Sequence, residues 1–273
     1  MEVIRNFASK KLSDRILLTL SFNLIIAILC FFLFESFNAA AAKNIVIQSK
    51  SFDLEKALPS DEQIQRKKRS ELQLARFKIP INQELDFLPS ASDILLRREF
   101  EVENRAICLI VIALKAQNAP KKLIDSIVNR YDLANDFTVL EKIFLKDVNP
   151  SSASMLGARW RFQSAMSLFW ALGLVDVLPT PNQIGDIPGM IRVISGITPQ
   201  AFRELAQLRS KADILVTVDL YYRYHWATHD ARENFQALPG GMIESVVYER
   251  EFALKWIIDY KGLSWDNIEA DLK

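Results

Sequence analysis

Beyond residue 60, apolar residues recur at the three- and four-residue spacing of helices facing a core, and almost nowhere do they alternate as a half-buried strand requires. Ser60 followed by Gln63 forms a capping-box pattern that opens a helix through about Phe77, and Lys78-Ile79-Pro80 ends it, since the residue before proline avoids the helical region. Ser90 with Asp93 is expected to open the next helix, which runs to about Gln117. Its second half, Ile107 to Leu114, is apolar on every side, the pattern of a central helix buried all round. Further helical patterns cover about 120–131, 138–147, 154–174, 187–195, 199–209, 211–234 and 244–260, with Thr198-Pro199 as an N-cap and first-turn pair. The β-branched run Ile214 to Val218 reads as helix, because the residues after it keep helical spacing without a turn residue. The expected fold is all-α: a single irregular bundle of eight to ten helices over residues 61–273, preceded by an export segment.

That segment has its own pattern. Arg5, Lys10, Lys11 and Arg15 precede an apolar run from Ile16 to Phe34, and the small residues Ala39 to Ala42 follow, the order of a secretory signal. The 19 residues of the run would rise roughly 28 Å as a helix, close to the bilayer core, so an uncleaved anchor fits as well as a cleaved peptide. Residues 1–42 are therefore read as a signal peptide or signal anchor, with a buried core helix as the remaining alternative, and residues 43–60 as a linker. The basic amino end should stay in the cytoplasm and the rest cross, which makes the domain periplasmic or secreted, or anchored to the inner membrane facing outward. A mature chain would keep one cysteine, Cys108, which lies in an apolar stretch and reads as a small buried hydrophobe.

Composition narrows the function classes. Half of the 273 residues are hydrophobic and 25% are charged, which is the balance of a globular chain. With 34 Lys and Arg against 33 Asp and Glu, the formal charge of +1 gives no global field to attract nucleic acid. All 8 glycines fall at or after Gly157 and none builds a phosphate-cradling loop, so no nucleotide cofactor is implied and none of any other kind is expected. No serine or cysteine sits on a sharp glycine turn as an activated nucleophile does. The basic tract Arg66-Lys67-Lys68-Arg69, flanked by Glu62 and Glu71, reads as a solvated helix face.

The remaining candidate chemistry lies in the carboxyl-terminal half. His225 and His229, the only histidines, stand one helical turn apart on one face, as metal ligands do. A third ligand would have to come from another helix, so ordinary hydrogen-bonded histidines are the default reading. Asp219 with Arg223, and Glu101 with Arg105, have the i, i+4 spacing of intrahelical ion pairs. Trp160, Arg161, Asp219, Arg223, His225, Trp226, Glu249 and Arg250 together form a polar set embedded in aromatic surface, either a buried network that fixes helix register or the lining of a pocket. On the last long helix Val246, Ala253, Leu254, Trp256 and Ile257 mark the buried stripe. Arg250 falls inside it and is expected to meet a buried carboxylate, Asp219 or Glu101, while Glu249 falls at its edge.

The strings Arg159-Trp160-Arg161-Phe162, Ser167 to Gly173, Asp219 to Ala227, Val247 to Arg250 with Ala253 to Trp256, and Trp265-Asp266 resemble, in this order, the bacterial domain-of-unknown-function family numbered 4272. The resemblance begins near Gln63 and covers most of the chain after the export segment. The chain departs from the family pattern at Gln163, where the family has Glu, and at Glu251, where it often has His. The family keeps the first histidine of the pair but not usually the second, which implies against a metal role. It implies fold and site location and carries no established activity.

The functional expectation is an exported, non-enzymatic helical protein that binds an unknown partner protein or small ligand in a cleft lined by Trp, Arg and Glu. Nucleic acid is not an expected partner, and a membrane is one only through residues 16–34 if the signal is not cleaved. One alternative is a hydrolase or transferase with Glu249 as general base and Arg161 or Arg250 holding an anionic substrate, recognisable if Glu249 faces an open pocket with a raised pKa. Another is an envelope-side immunity or inhibitor protein.

Overall fold

The computed structural model describes residues 58–268, and the export segment and most of the linker lie outside the described residues. Among the described residues there are nine α-helices and no strand. The helices are α1 (Asp61–Arg76), α2 (Glu99–Ala116), α3 (Lys121–Tyr131), α4 (Val139–Lys146), α5 (Ser152–Ala171), α6 (Ile187–Gly196), α7 (Pro199–Leu205), α8 (Lys211–Glu233) and α9 (Glu244–Ile257). None is long and apolar enough to cross a membrane.

The termini of these helices follow from local chemistry. Ser60 and Gln63 close the expected capping box on α1, and Thr138 with Glu141 closes another on α4. Thr198 accepts from the Ala201 amide at the start of α7, with Pro199 at the first helical position as expected. Ile214 to Val218 lies within α8.

The start of α2 differs from the expectation. Ser90 and Asp93 bond each other in a turn, and the helix begins only at Glu99, where the Glu101 carboxylate accepts from the Arg98 amide. Residues 90–98 thus join the expected break after α1 in one irregular segment, 79–98, held down by cations from the helices. Arg66 donates to the Leu88 and Pro89 carbonyls, Lys67 to those of Gln83 and Leu85, and Lys211 to those of Ala91 and Ile94. These bonds satisfy backbone oxygens that a helix would have paired internally. The Arg66 to Arg69 tract is thus not purely a solvated face, since two of its members tether this segment.

Packing runs across the bundle in a row. α1 lies on α8, α8 on α9, α9 on α5 and α5 on α2, with α3 and α4 against the far side of α2. As the apolar run predicts, α2 is buried all round from Ala106 to Leu114. Cys108 is wholly buried there, and burial pushes its thiol up to about 12, so it is an inert hydrophobe. Gly173, at φ +69°, turns the chain out of α5 where the Gln207 carbonyl would stand 3.2 Å from an added Cβ. Arg209 donates to the Trp170, Val175 and Asp176 carbonyls and so ties the chain that follows α5 to the helix end.

Helix α9 is the second central helix, and here the amphipathic expectation fails. From Val246 to Ile257 only Tyr248 is not buried, so Glu249, Arg250 and Glu251 are buried as three consecutive charges. The helix is clasped between α5 and α8, so its polar face as well as its apolar face is covered. Such a position is tolerable only if every charge finds partners.

Candidate functional site

The charges buried along α9 sort into three networks, and one of them opens to solvent. The open one begins at Glu249. Its carboxylate takes Arg161 Nη1 at 3.2 and 3.3 Å and the Ser164 hydroxyl at 2.5 Å, both from α5. Burial raises the Glu249 pKa, and the opposing pull of Arg161 and Ser164 does not reverse it. The Arg161 side chain is 31% exposed and its guanidinium lies over the Phe252 ring.

Next to it on the helix, Glu251 is enclosed. One oxygen meets His225 Nδ1 from α8, and the other lies 2.8 Å from the Lys255 ammonium one turn further along. Lys255 is also packed over the Tyr222 and Tyr260 rings. With a carboxylate at Nδ1, the proton of a neutral imidazole belongs on that nitrogen, which leaves Nε2 as the acceptor.

Arg250 forms the third network and corrects the sequence reading. It is completely buried, as its stripe position predicts, but among the described residues no carboxylate receives it. Its donors go to Gln163 Oε1 at 3.3 and 2.9 Å, to the Tyr221 hydroxyl at 3.0 Å, and to the carbonyls of Pro179 and Gln183. Neither expected partner is available. Asp219 receives Arg223 bidentately at 2.9 and 3.1 Å, and Glu101 turns back to Arg98. Arg105 accordingly pairs not with Glu101 but with Glu141 of α4 at 2.7 Å, because the turn that caps α2 has already claimed Glu101. The Asp219–Arg223 pair forms as its spacing predicts, almost fully buried against α1.

Where α8 and α9 separate, a groove of about 550 Å³ is lined by Trp160, His225, His229, Arg232, Glu244, Ser245, Tyr248 and Glu249. Arg232 and Glu244 pair across it at 2.5 Å. His225 packs edge-on against Tyr248, with ring centroids 5.7 Å apart. Of the residues singled out in the sequence, Trp160, His225 and Glu249 meet in this groove and Arg161 stands behind Glu249. Asp219, Arg223 and Arg250 lie in the interior away from its lining, and Trp226, half-buried against the core, does not line it either.

The family model described as Domain of unknown function (DUF4272) matches residues 66–268. The chain belongs to the DUF4272 family. No curated protein and no solved structure matches it. Within this DUF4272 domain, Gln163 is the acceptor for Arg250, and Glu251 joins His225 to Lys255.

Sequence reasoning missed Ser164, Lys255, Tyr248, Arg232 and Glu244. The i, i+4 spacing of Glu251 and Lys255 was a usable signal, but it is equally that of an exposed pair. Ser164 sits in an apolar run where nothing marks it. The two histidines do share the groove face, yet His225 is committed to Glu251, and His229 lies 3.9 Å from Glu233. Among the described residues no group of three or more His, Cys, Asp or Glu side chains could hold a metal ion.

Proposed function

We propose that this DUF4272 protein is an exported binding protein whose groove between α8 and α9 takes a small polar ligand or a short segment of a partner protein. The observation that carries the reading is the groove lining. Trp160 and Tyr248 supply aromatic contact area, while His225 and the Arg232–Glu244 pair supply directional polar groups, the mixture used by recognition sites. The charges beneath it are already paired, so they stiffen the walls. Export rests on the basic, apolar and small-residue order of residues 1–42. Affinity capture from envelope extract, with mass spectrometry of both small molecules and proteins, tests the reading. A ligand retained by the native chain and lost from Trp160→Ala supports it, and equal retention by both refutes it.

A second reading is favoured by one observation. Glu249 lines the groove with a raised pKa, as a general acid or base would. The anion clamp assigned to Arg250 is withdrawn because that side chain is enclosed, which leaves Arg161 alone in the role. Glu249→Gln separates the two readings: a binding protein keeps its ligand, while an acid–base enzyme binds substrate and no longer turns it over.

A further inference from the structure

A second groove, on the opposite flank of α8, lies between α1 and the first turns of α8 and has a volume of about 710 Å³. Its rim carries Lys68, Arg69 and Arg76, all exposed and none in an ion pair among the described residues. Glu62 is the one acid in its lining, and that carboxylate is taken by Arg66 and the Ala91 amide. Leu72, 64% exposed, together with Ala212 and Val216 gives the groove an apolar floor. Ala212 lies in the first turn of α8, where Asp213 offsets the partial positive charge of the helix's amino end.

From this juxtaposition of an apolar floor and unpaired cations we infer that the groove between α1 and α8 docks an acidic amphipathic helix of a partner protein. A trough between two helices accepts a third helix, with apolar residues at i, i+3, i+4 and i+7 on the floor and carboxylates toward the rim. The cations from Lys68 to Arg76 span roughly 12 Å, a little over two turns of such a helix. Other occupants fit less well. Binding of duplex nucleic acid rests largely on phosphate contacts, and three cations on a chain of net charge +1 offer few of them. A second copy docked groove to groove would set Lys and Arg against Lys and Arg.

The test uses the full chain and a fluorescein-labelled helical peptide of about 18 residues, with Leu on one face and Glu flanking it, followed by fluorescence anisotropy. Binding is expected, weakening as salt rises from low to physiological, and falling at least about tenfold in Lys68→Glu/Arg69→Glu. Leu72→Asn is expected to weaken it without changing the salt dependence. Both substitutions are on exposed positions, and circular dichroism checks that each variant is folded. The inference is overturned if the native chain does not bind the peptide, if the charge-reversed chain binds it equally, or if a Lys-for-Glu version of the peptide binds as well. Binding of phosphatidylglycerol vesicles or of an oligothymidylate in place of the peptide overturns it too. Trp160→Ala, which alters only the other groove, should leave peptide binding unchanged.

Discussion

Gln163 Oε1 accepts from both Nε and Nη2 of Arg250, at 3.3 and 2.9 Å, so a neutral amide from α5 does what a carboxylate was expected to do for a completely buried guanidinium. The charge is carried by many neutral acceptors. Tyr221 and the Pro179 and Gln183 carbonyls take the remaining donors, and the loop that follows α5 is thereby tied to α9.

Arg250→Ala strands these acceptors in the interior and is expected to cost about 3 kcal/mol or more, since hydrogen bonds to charged groups contribute roughly 1.5–3 kcal/mol each. Arg250→Lys should recover little, because an ammonium cannot reproduce the planar fork. Gln163→Leu, which removes one acceptor, should cost less than Arg250→Ala. Urea denaturation midpoints read all three. An unchanged midpoint for Arg250→Ala would mean that the guanidinium is not enclosed.

Lys255 and Glu251 lie 2.8 Å apart without solvent contact, so Lys255→Met leaves a buried carboxylate with His225 alone. The expected loss is about 3–5 kcal/mol. Replacing both partners in Lys255→Met/Glu251→Leu should cost less than the sum of the two single changes, and a double-mutant cycle measures the difference. Strict additivity would sink the pairing.

Glu249 gives a pH dependence with a definite sign. Burial raises its pKa in the folded state, so the fold binds this proton more tightly than the unfolded chain does. Its contribution is fully present below the ordinary carboxylate pKa and is lost as pH rises through the raised value. The Glu249→Gln chain should lack that loss, so the stability difference between the two chains should shift in favour of the variant over this range. Denaturation midpoints of both chains from about pH 4 to about pH 8 measure it. A difference independent of pH counts against a raised pKa.

Tyr248, 38% exposed on an otherwise buried helix, tests the groove. Tyr248→Ala should change the unfolding free energy by no more than about 1–2 kcal/mol while reducing retention of any ligand that Trp160→Ala also loses. Equilibrium unfolding and quantified capture distinguish this from a fold defect.

The sequence by itself determined the helical class, most helix ends, the buried course of α2 and the burial of Arg250. Each follows from short-range chemistry: caps bond within three residues, and apolar spacing fixes which side of a helix must leave water. Residues 90–98 escaped it because the Ser90–Asp93 turn looks like a helix start until the Ala91 and Ile94 carbonyls find Lys211 elsewhere in the fold. The partners of the charges escaped it for a related reason. Spacing lists who can reach whom along one helix, and it identified Asp219 with Arg223, but Glu101 was taken by the Arg98 cap, and Arg105 and Arg250 found partners across the bundle. Which set of polar residues opens to solvent was decided only by tertiary packing. The groove between α8 and α9 leaves Trp160 and Tyr248 partly exposed over the buried Glu249 carboxylate, while the closure of α5 and α8 over the rest of α9 seals Arg250, Glu251 and Lys255 inside. Burial of a charge depends on what is packed above it, and that information is carried by residues tens of positions away.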